Sequence, residues 1–95
     1  MKKRIVITGG EGRFAKILKS TIKNQNYLFP SKKELNILDL TSIKKYLSKK
    51  KAKILIHCAA LSRPMKIHQE NISKSIDLNI IGTANITKAC SEKNI

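Results

Sequence analysis

Apolar residues fall along this chain in two kinds of pattern. Ile5, Val6 and Ile7 are consecutive within the segment Lys3–Thr8, and Ile54, Leu55 and Ile56 open the segment Ile54–Cys58 in the same way. Short continuous apolar runs predict strands covered on both faces, as in a parallel sheet. Tyr27–Phe29 makes a shorter strand ended by Pro30. Between the strands the spacing turns helical. Phe14, Ile17, Leu18, Thr21 and Ile22 predict one buried face of a helix over Glu11–Asn24. Ile43, Tyr46 and Leu47 predict a second helix, running to about Lys50 and capped by Thr41 or Ser42. Asn71–Lys93 reads as a long helix in which Ile72, Ile76, Ile80 and Ala84 recur every four residues. Asn24–Asn26 is a turn, Ser31–Leu40 a connector, and Leu61 to about Glu70 a loop containing Pro64.

The resulting order is β-α-β-α-β-α, which calls for an α/β fold: a parallel three-stranded sheet, right-handed crossovers and flanking helices. The chain of 95 residues allows one small domain. A composition of 41% apolar and 27% charged residues is that of a soluble globular protein. Met1–Arg4 is basic and precedes an apolar stretch. That stretch is too short for a signal peptide and ends at Gly9 and Gly10. No run approaches the roughly 20 apolar residues of a membrane span. Cys58 and Cys90 lie far apart without metal-ligand spacing, so no metal is expected, and both read as reduced thiols of a cytoplasmic protein.

Net charge of +14 raises the question of a nucleic-acid or membrane-surface partner. The lysines, however, are spread along the whole chain. Their densest run, Lys49–Lys51, sits where a helix ends and complements its dipole. Few aromatic residues are interleaved to stack on bases. A lysine-rich surface is therefore the simpler reading.

The sharpest chemical signal is Thr8-Gly9-Gly10-Glu11-Gly12-Arg13-Phe14-Ala15. It follows a predicted strand and opens a predicted helix, the setting a phosphate-binding turn needs. Glycine allows the tight bend and removes the side chain that would block a pyrophosphate, and the helix N-terminus offers free amides and partial positive charge. No Gly-Lys-Ser/Thr follows, which disfavours a P-loop. A ligand-free strand-to-helix turn is the competing reading.

These residues resemble the Thr-Gly-x-x-Gly-x-x-Gly turn of short-chain dehydrogenases/reductases, with Ala15 in the last position. The resemblance continues in order along the chain. Glu34–Leu40 is similar to the segment before the second helix in dTDP-4-dehydrorhamnose reductases. Ile56-His57-Cys58-Ala59-Ala60 is similar to the family's third-strand ending. Asn79-Ile80-Ile81-Gly82-Thr83-Ala84-Asn85 resembles the Asn-x-x-Gly-Thr-x-Asn helix of extended epimerases, dehydratases and reductases. The resemblance implies a partial Rossmann fold. It also implies the NAD(P)-binding portion of a nucleotide-sugar oxidoreductase, one transferring hydride to a 4-keto sugar, or else an epimerase/dehydratase.

The resemblance places the dinucleotide against Thr8, Gly9, Gly12, Arg13 and Phe14 at the turn. Ser31 and Lys32 follow the second strand, Asp39 and Leu40 flank the adenine, and Cys58, Ala59, Ala60 and Leu61 follow the third strand. No carboxylate precedes Glu34 at the end of the second strand, and a hydroxyl followed by Lys32 and Lys33 suits a 2′-phosphate. NADP is thus expected over NAD. Asp39 can equally be a helix-start acid, and Ala59 and Ala60 simple core residues. Asn79 matches the family's supporting catalytic asparagine. His57 reads as a strand-end residue and not a base, while Arg63 and His68 lie on the loop.

The family's catalytic serine and Tyr-x-x-x-Lys come after its fourth and fifth strands. Tyr46-Leu47-Ser48-Lys49-Lys50 spells that motif but falls on the second helix, too early for the role. The expectation is an N-terminal fragment that binds cofactor without turnover, with an exposed apolar sheet edge. For the full-length protein the expected partner is a nucleotide sugar, with a homodimer left open and no membrane or specific nucleic acid. A non-catalytic dinucleotide sensor and a basic nucleic-acid-binding protein are the alternatives from other classes.

Overall fold

Residues 3–10, 12–59 and 70–95 are described by the computed structural model. Arg4–Ile7 forms β1, the centre of a parallel three-stranded sheet. β2 (Tyr27–Leu28) lies on one side and β3 (Ala52–Ile56) on the other, in the order β2-β1-β3. Ile5 pairs with Tyr27 and with Ile54, and Val6 pairs with Leu28 and with Leu55. The chain steps outward from β1 to β2, then crosses back over β1. Right-handed crossovers in opposite directions place their helices on opposite faces.

α1 (Arg13–Thr21) is the first crossover and α2 (Leu40–Lys50) the second. Val6 packs with Ile43, Tyr46 and Leu47 of α2, and with Ile86 and Ala89 of the C-terminal helix, in one buried cluster. The α2 face expected from Ile43, Tyr46 and Leu47 is therefore the observed one. Val6 and Ile7 are fully buried, as a central strand covered on both faces requires.

Several details differ from the sequence expectation. α1 is shorter than Glu11–Asn24, and it meets the sheet through Ala15. Phe14 and Ile17 stay 58% and 60% exposed. The hydroxyls of Ser20 and Thr21 both donate to the Ile17 carbonyl, competition that favours ending the helix there. The cap of α2 lies two or three residues before the expected Thr41 or Ser42. It is Asp39, whose Oδ1 accepts from the Ser42 amide at 3.2 Å. β3 begins at Ala52, directly after Lys51 reverses the chain in the left-handed region (φ 55°).

The long C-terminal helix is three joined pieces: α3 (Ile72–Ile76), a π-helical turn (Asp77–Ile81) and α4 (Gly82–Glu92). Asn71 caps its start by accepting from the Lys74 amide at 3.0 Å. The isoleucine row does not form the buried face: Ile72, Ile76 and Ile80 are 64%, 45% and 63% exposed. The wider π turn shifts the row's phase, and the buried positions are Gly82, Ile86 and Ala89. Gly82 matters for packing, because a Cβ there would sit 2.6 Å from Ile37 Cδ1.

Ile37 belongs to the 31–39 connector, which is held by local bonds. The Ser31 amide donates to Glu34 Oε1 (3.0 Å), the Glu34 amide donates to Ser31 Oγ (3.3 Å), and Asn36 Oδ1 accepts from the Leu38 amide (3.0 Å). Asn85 Nδ2 ties the connector to α4 through the Ile37 carbonyl at 3.0 Å. On the opposite side of the sheet, Ile54 and Ile56 of β3 are 41% and 38% exposed, an uncovered apolar edge.

Candidate functional site

β1 is the strand at which the direction of winding reverses. Its neighbours' connections therefore diverge at the carboxyl end of the sheet, and open α/β sheets bind ligands in the crevice this creates. A cavity of about 620 Å³ lies there. Thr8, Gly9 and Gly12 line it from the β1–α1 turn, Pro30 and Lys32 from the end of β2, and Cys58 and Ala59 from the end of β3. Asn36, Leu38 and Leu78 close the far side.

The turn is tied to the end of β3 at two levels. Gly9 takes φ +73°, a left-handed conformation that favours glycine. A Cβ at Gly9 would also meet the Ala59 amide nitrogen at 2.8 Å and the Cys58 carbonyl carbon at 2.9 Å. The Gly12 amide then donates to the Gly9 carbonyl at 2.8 Å and closes the bend. Beside it, the Thr8 amide donates to the Ile56 carbonyl (3.0 Å), while Thr8 Oγ1 accepts from the amides of Cys58 (2.9 Å) and Ala59 (3.0 Å). Thr8 is 1% exposed. His57 Nδ1 lies 2.7 Å from the same hydroxyl, and His57 Nε2 lies 3.2 Å from Thr83 Oγ1 on α4. Burial lowers the His57 pKa and raises that of the Cys58 thiol, so both are held toward their neutral forms.

α1 opens on this crevice with Gly12 as its N-cap, a residue with no side chain to bond the first amides. α2 and α3, in contrast, are capped by Asp39 and Asn71. The first turn of α1 contains no acidic residue. Among the described residues, a helix start without a side-chain cap, its dipole and the glycines Gly9, Gly10 and Gly12 fit a pyrophosphate.

The cavity brings together six of the residues singled out in the sequence: Thr8, Gly9, Gly12, Lys32, Cys58 and Ala59. Arg13 and Phe14 follow on the exposed first turn of α1. Ser31 is engaged with Glu34, Asp39 caps α2, and Leu40 packs against the core. Asn79 lies in the π turn, where its Nδ2 donates to Ser75 Oγ at 3.4 Å, and it borders a separate groove with Thr83 and Thr87. Ala60, Leu61, Arg63 and His68 lie outside the described residues. Tyr46 is buried on α2, and that burial raises its pKa, the reverse of what a catalytic tyrosine needs. Lys50 stands over its ring, 5.9 Å from the centroid.

Two features were missed in the sequence. Glu34 folds its carboxylate back to the end of β2, and its pKa is lowered chiefly by the Ser31 amide bond. The serine and acid three residues apart signalled that reciprocal cap. Lys74 lines the crevice from α3, a placement with no local signature. Among the described residues there is no cluster of side chains able to hold a metal, and no helix long and apolar enough to cross a membrane.

A family model described as RmlD substrate binding domain matches residues 2–95. GDP-L-colitose synthase of Yersinia pseudotuberculosis is 32% identical in an alignment of 85 positions that covers 79% of this chain and 28% of the relative. A dTDP-4-dehydrorhamnose reductase from Bacillus anthracis, solved in complex with NADP, is similar over 98% of this chain and 34% of its own. Its TM-score is 0.87 and its identity 25%. A GDP-mannoheptose C4 reductase from Campylobacter jejuni with NADP bound shares the fold at TM-score 0.79 and 18% identity, over 100% of this chain and 30% of its own. The chain thus spans about a third, or less, of the length of these relatives.

Proposed function

The chain belongs to the RmlD substrate binding domain family, and from that premise we propose that it is the cofactor-binding portion of an NADP-dependent nucleotide-sugar oxidoreductase. The observation that carries the proposal is the uncapped N-terminus of α1, opening with the glycine turn at the strand where the winding reverses. The diphosphate lies against the amides of the 8–15 turn, with Gly9 and Gly12 leaving its approach open. The backbone of Cys58 and Ala59 borders the nicotinamide ribose, and Ala60 and Leu61 are further cofactor-binding residues of this reading. The adenine lies toward the far side of the crevice, beside Leu38 and the backbone of the Asp39–Leu40 step, with the Asp39 carboxylate turned to the α2 cap. When bound, the cofactor supplies a hydride. The residues described here bind and orient it and exclude water from one flank. In the longer protein the acceptor is a 4-keto nucleotide sugar, Asn79 has a supporting role, and the serine, tyrosine and lysine of the chemistry lie outside these 95 residues. The setting is cytoplasmic, with neither membrane nor nucleic acid as partner.

NADP is favoured because Lys32 stands at the β2 end of the crevice, where an ammonium suits a 2′-phosphate. Glu34 is the nearby acid, but its carboxylate is occupied by the Ser31 amide. Fluorescence titration of the 95-residue chain tests this. NADPH is expected to bind more tightly than NADH, and Lys32→Ala to narrow the gap by roughly three- to tenfold, the worth of one partly exposed charge-assisted contact. Tighter binding of NADH, or an unchanged gap in the variant, would contradict it. An epimerase or dehydratase would instead retain oxidised cofactor, whereas the reductase consumes NADPH when the full-length protein meets its substrate.

A further inference from the structure

Thr8 Oγ1 has one proton to give and two lone pairs to receive with. The amides of Cys58 and Ala59 fill both lone pairs, at 2.9 and 3.0 Å. Its own proton therefore has one direction left, toward His57 Nδ1 at 2.7 Å. This requires a bare lone pair on Nδ1 and puts the imidazole proton on Nε2, where it donates to Thr83 Oγ1 at 3.2 Å. The whole donor pattern of β1, β3 and α4 at the crevice thus passes through one ring in one tautomer.

We propose that His57 is a positioning residue: as the neutral Nε2–H tautomer it holds the Thr8 hydroxyl as a double acceptor, fixing the Cys58 and Ala59 amides in the crevice, and its protonation releases them. The proposal rests on the dinucleotide reading of that crevice. A proton on Nδ1 would point a donor at Thr8, which already accepts twice. One of the two amides would have to be given up, and the hydroxyl proton would need a new acceptor in a site that is 1% exposed.

Among the described residues, the groups facing the ring are Thr8 from β1 and Thr83 from α4, with Cys58 adjoining in the chain. Of these only the Cys58 thiol titrates, and burial keeps it protonated. The charged residues on the packed elements are Arg4 on β1, Lys53 on β3, Asp77 on the π turn, and Lys88 and Glu92 on α4. The cause of the His57 shift is burial. Because the folded pKa is depressed, the interaction is present above the ordinary imidazole pKa of about 6.5 and is lost as pH falls through the lower folded value.

Long-range ¹H–¹⁵N spectra of the labelled chain read the tautomer directly, with His57→Asn identifying the signal against His68. The expected result is a protonated Nε2 and a bare Nδ1 at neutral pH. Protection factors of the Cys58 and Ala59 amides should fall at least tenfold as pH drops through the His57 transition. His57→Asn places an amide oxygen near Nδ1 and cannot titrate, so protection should become independent of pH while remaining near the wild-type level. NADPH affinity, near wild type at neutral pH, should keep only the pH dependence of its own 2′-phosphate, whose second pKa is about 6. His57→Leu should lose about tenfold in NADPH affinity at every pH. An Nδ1–H tautomer, a charged ring at neutral pH, or an asparagine variant that keeps the pH dependence of amide protection would overturn the proposal. The tautomer and exchange readouts need no ligand. A chain that passes both yet binds no NADPH would sink the dinucleotide reading and leave the relay standing.

Discussion

At the scale of single residues, two glycines three positions apart have different tasks. Gly9 is bound to its place by backbone: φ +73° and an Ala59 amide 2.8 Å from where a Cβ would be. Neither neighbour is a flexible side chain that can move aside. Gly9→Ala is expected to cost more than about 2 kcal/mol, combining left-handed strain with a backbone clash. Gly12 has φ −77°, open to any residue, and its Cβ would meet only the Gly9 carbonyl at 3.1 Å. Gly12→Ala should cost about 0.5–1 kcal/mol, the loss from an alanine N-cap, yet weaken NADPH about tenfold by filling the phosphate approach. Urea midpoints and cofactor titration on both variants check the contrast. Equal stability losses, or full affinity in Gly12→Ala, would contradict it.

At the scale of elements, Asp39 shows how a side chain's task is set by the helix beside it. Its Oδ1 accepts from the Ser42 amide, and it borders a groove on α2 apart from the crevice. Asp39→Ala should lower stability by about 1 kcal/mol and leave the NADPH Kd within about twofold. A larger affinity loss would mean that the carboxylate also reaches the adenine. The same element shows what the sequence made legible. The β-α-β-α-β-α order, the buried Ile43–Tyr46–Leu47 face and the strand–turn–helix context of Gly9 and Gly12 all followed from local spacing. The faces of α1 and of the C-terminal helix did not. Periodicity locates an apolar row but not what covers it: Phe14 and Ile17 of α1 stay exposed, and so do Ile72, Ile76 and Ile80 along a helix interrupted by the π turn. The His57 relay was equally hidden, because its partners Thr8 and Thr83 lie 49 and 26 residues away and meet only in the folded sheet.

At the scale of the whole molecule, the two sides of the sheet are unequal. The α2–α4 side holds the main core cluster. The α1 side leaves Phe14, Ile17, Ile54 and Ile56 open to solvent. The net charge of +14 opposes association through that apolar surface at low salt and gives the crevice a positive field suited to an anionic cofactor. Charge alone would attract any polyanion, so a specific cofactor site is distinguished by where the phosphates settle. The most direct measurement follows backbone ¹H–¹⁵N shifts of the 95-residue chain during an NADPH titration at physiological salt. The largest changes are expected at the amides of Gly9, Gly12, Arg13, Phe14 and Ala15. Changes scattered over surface lysines, or centred away from that turn, would contradict it.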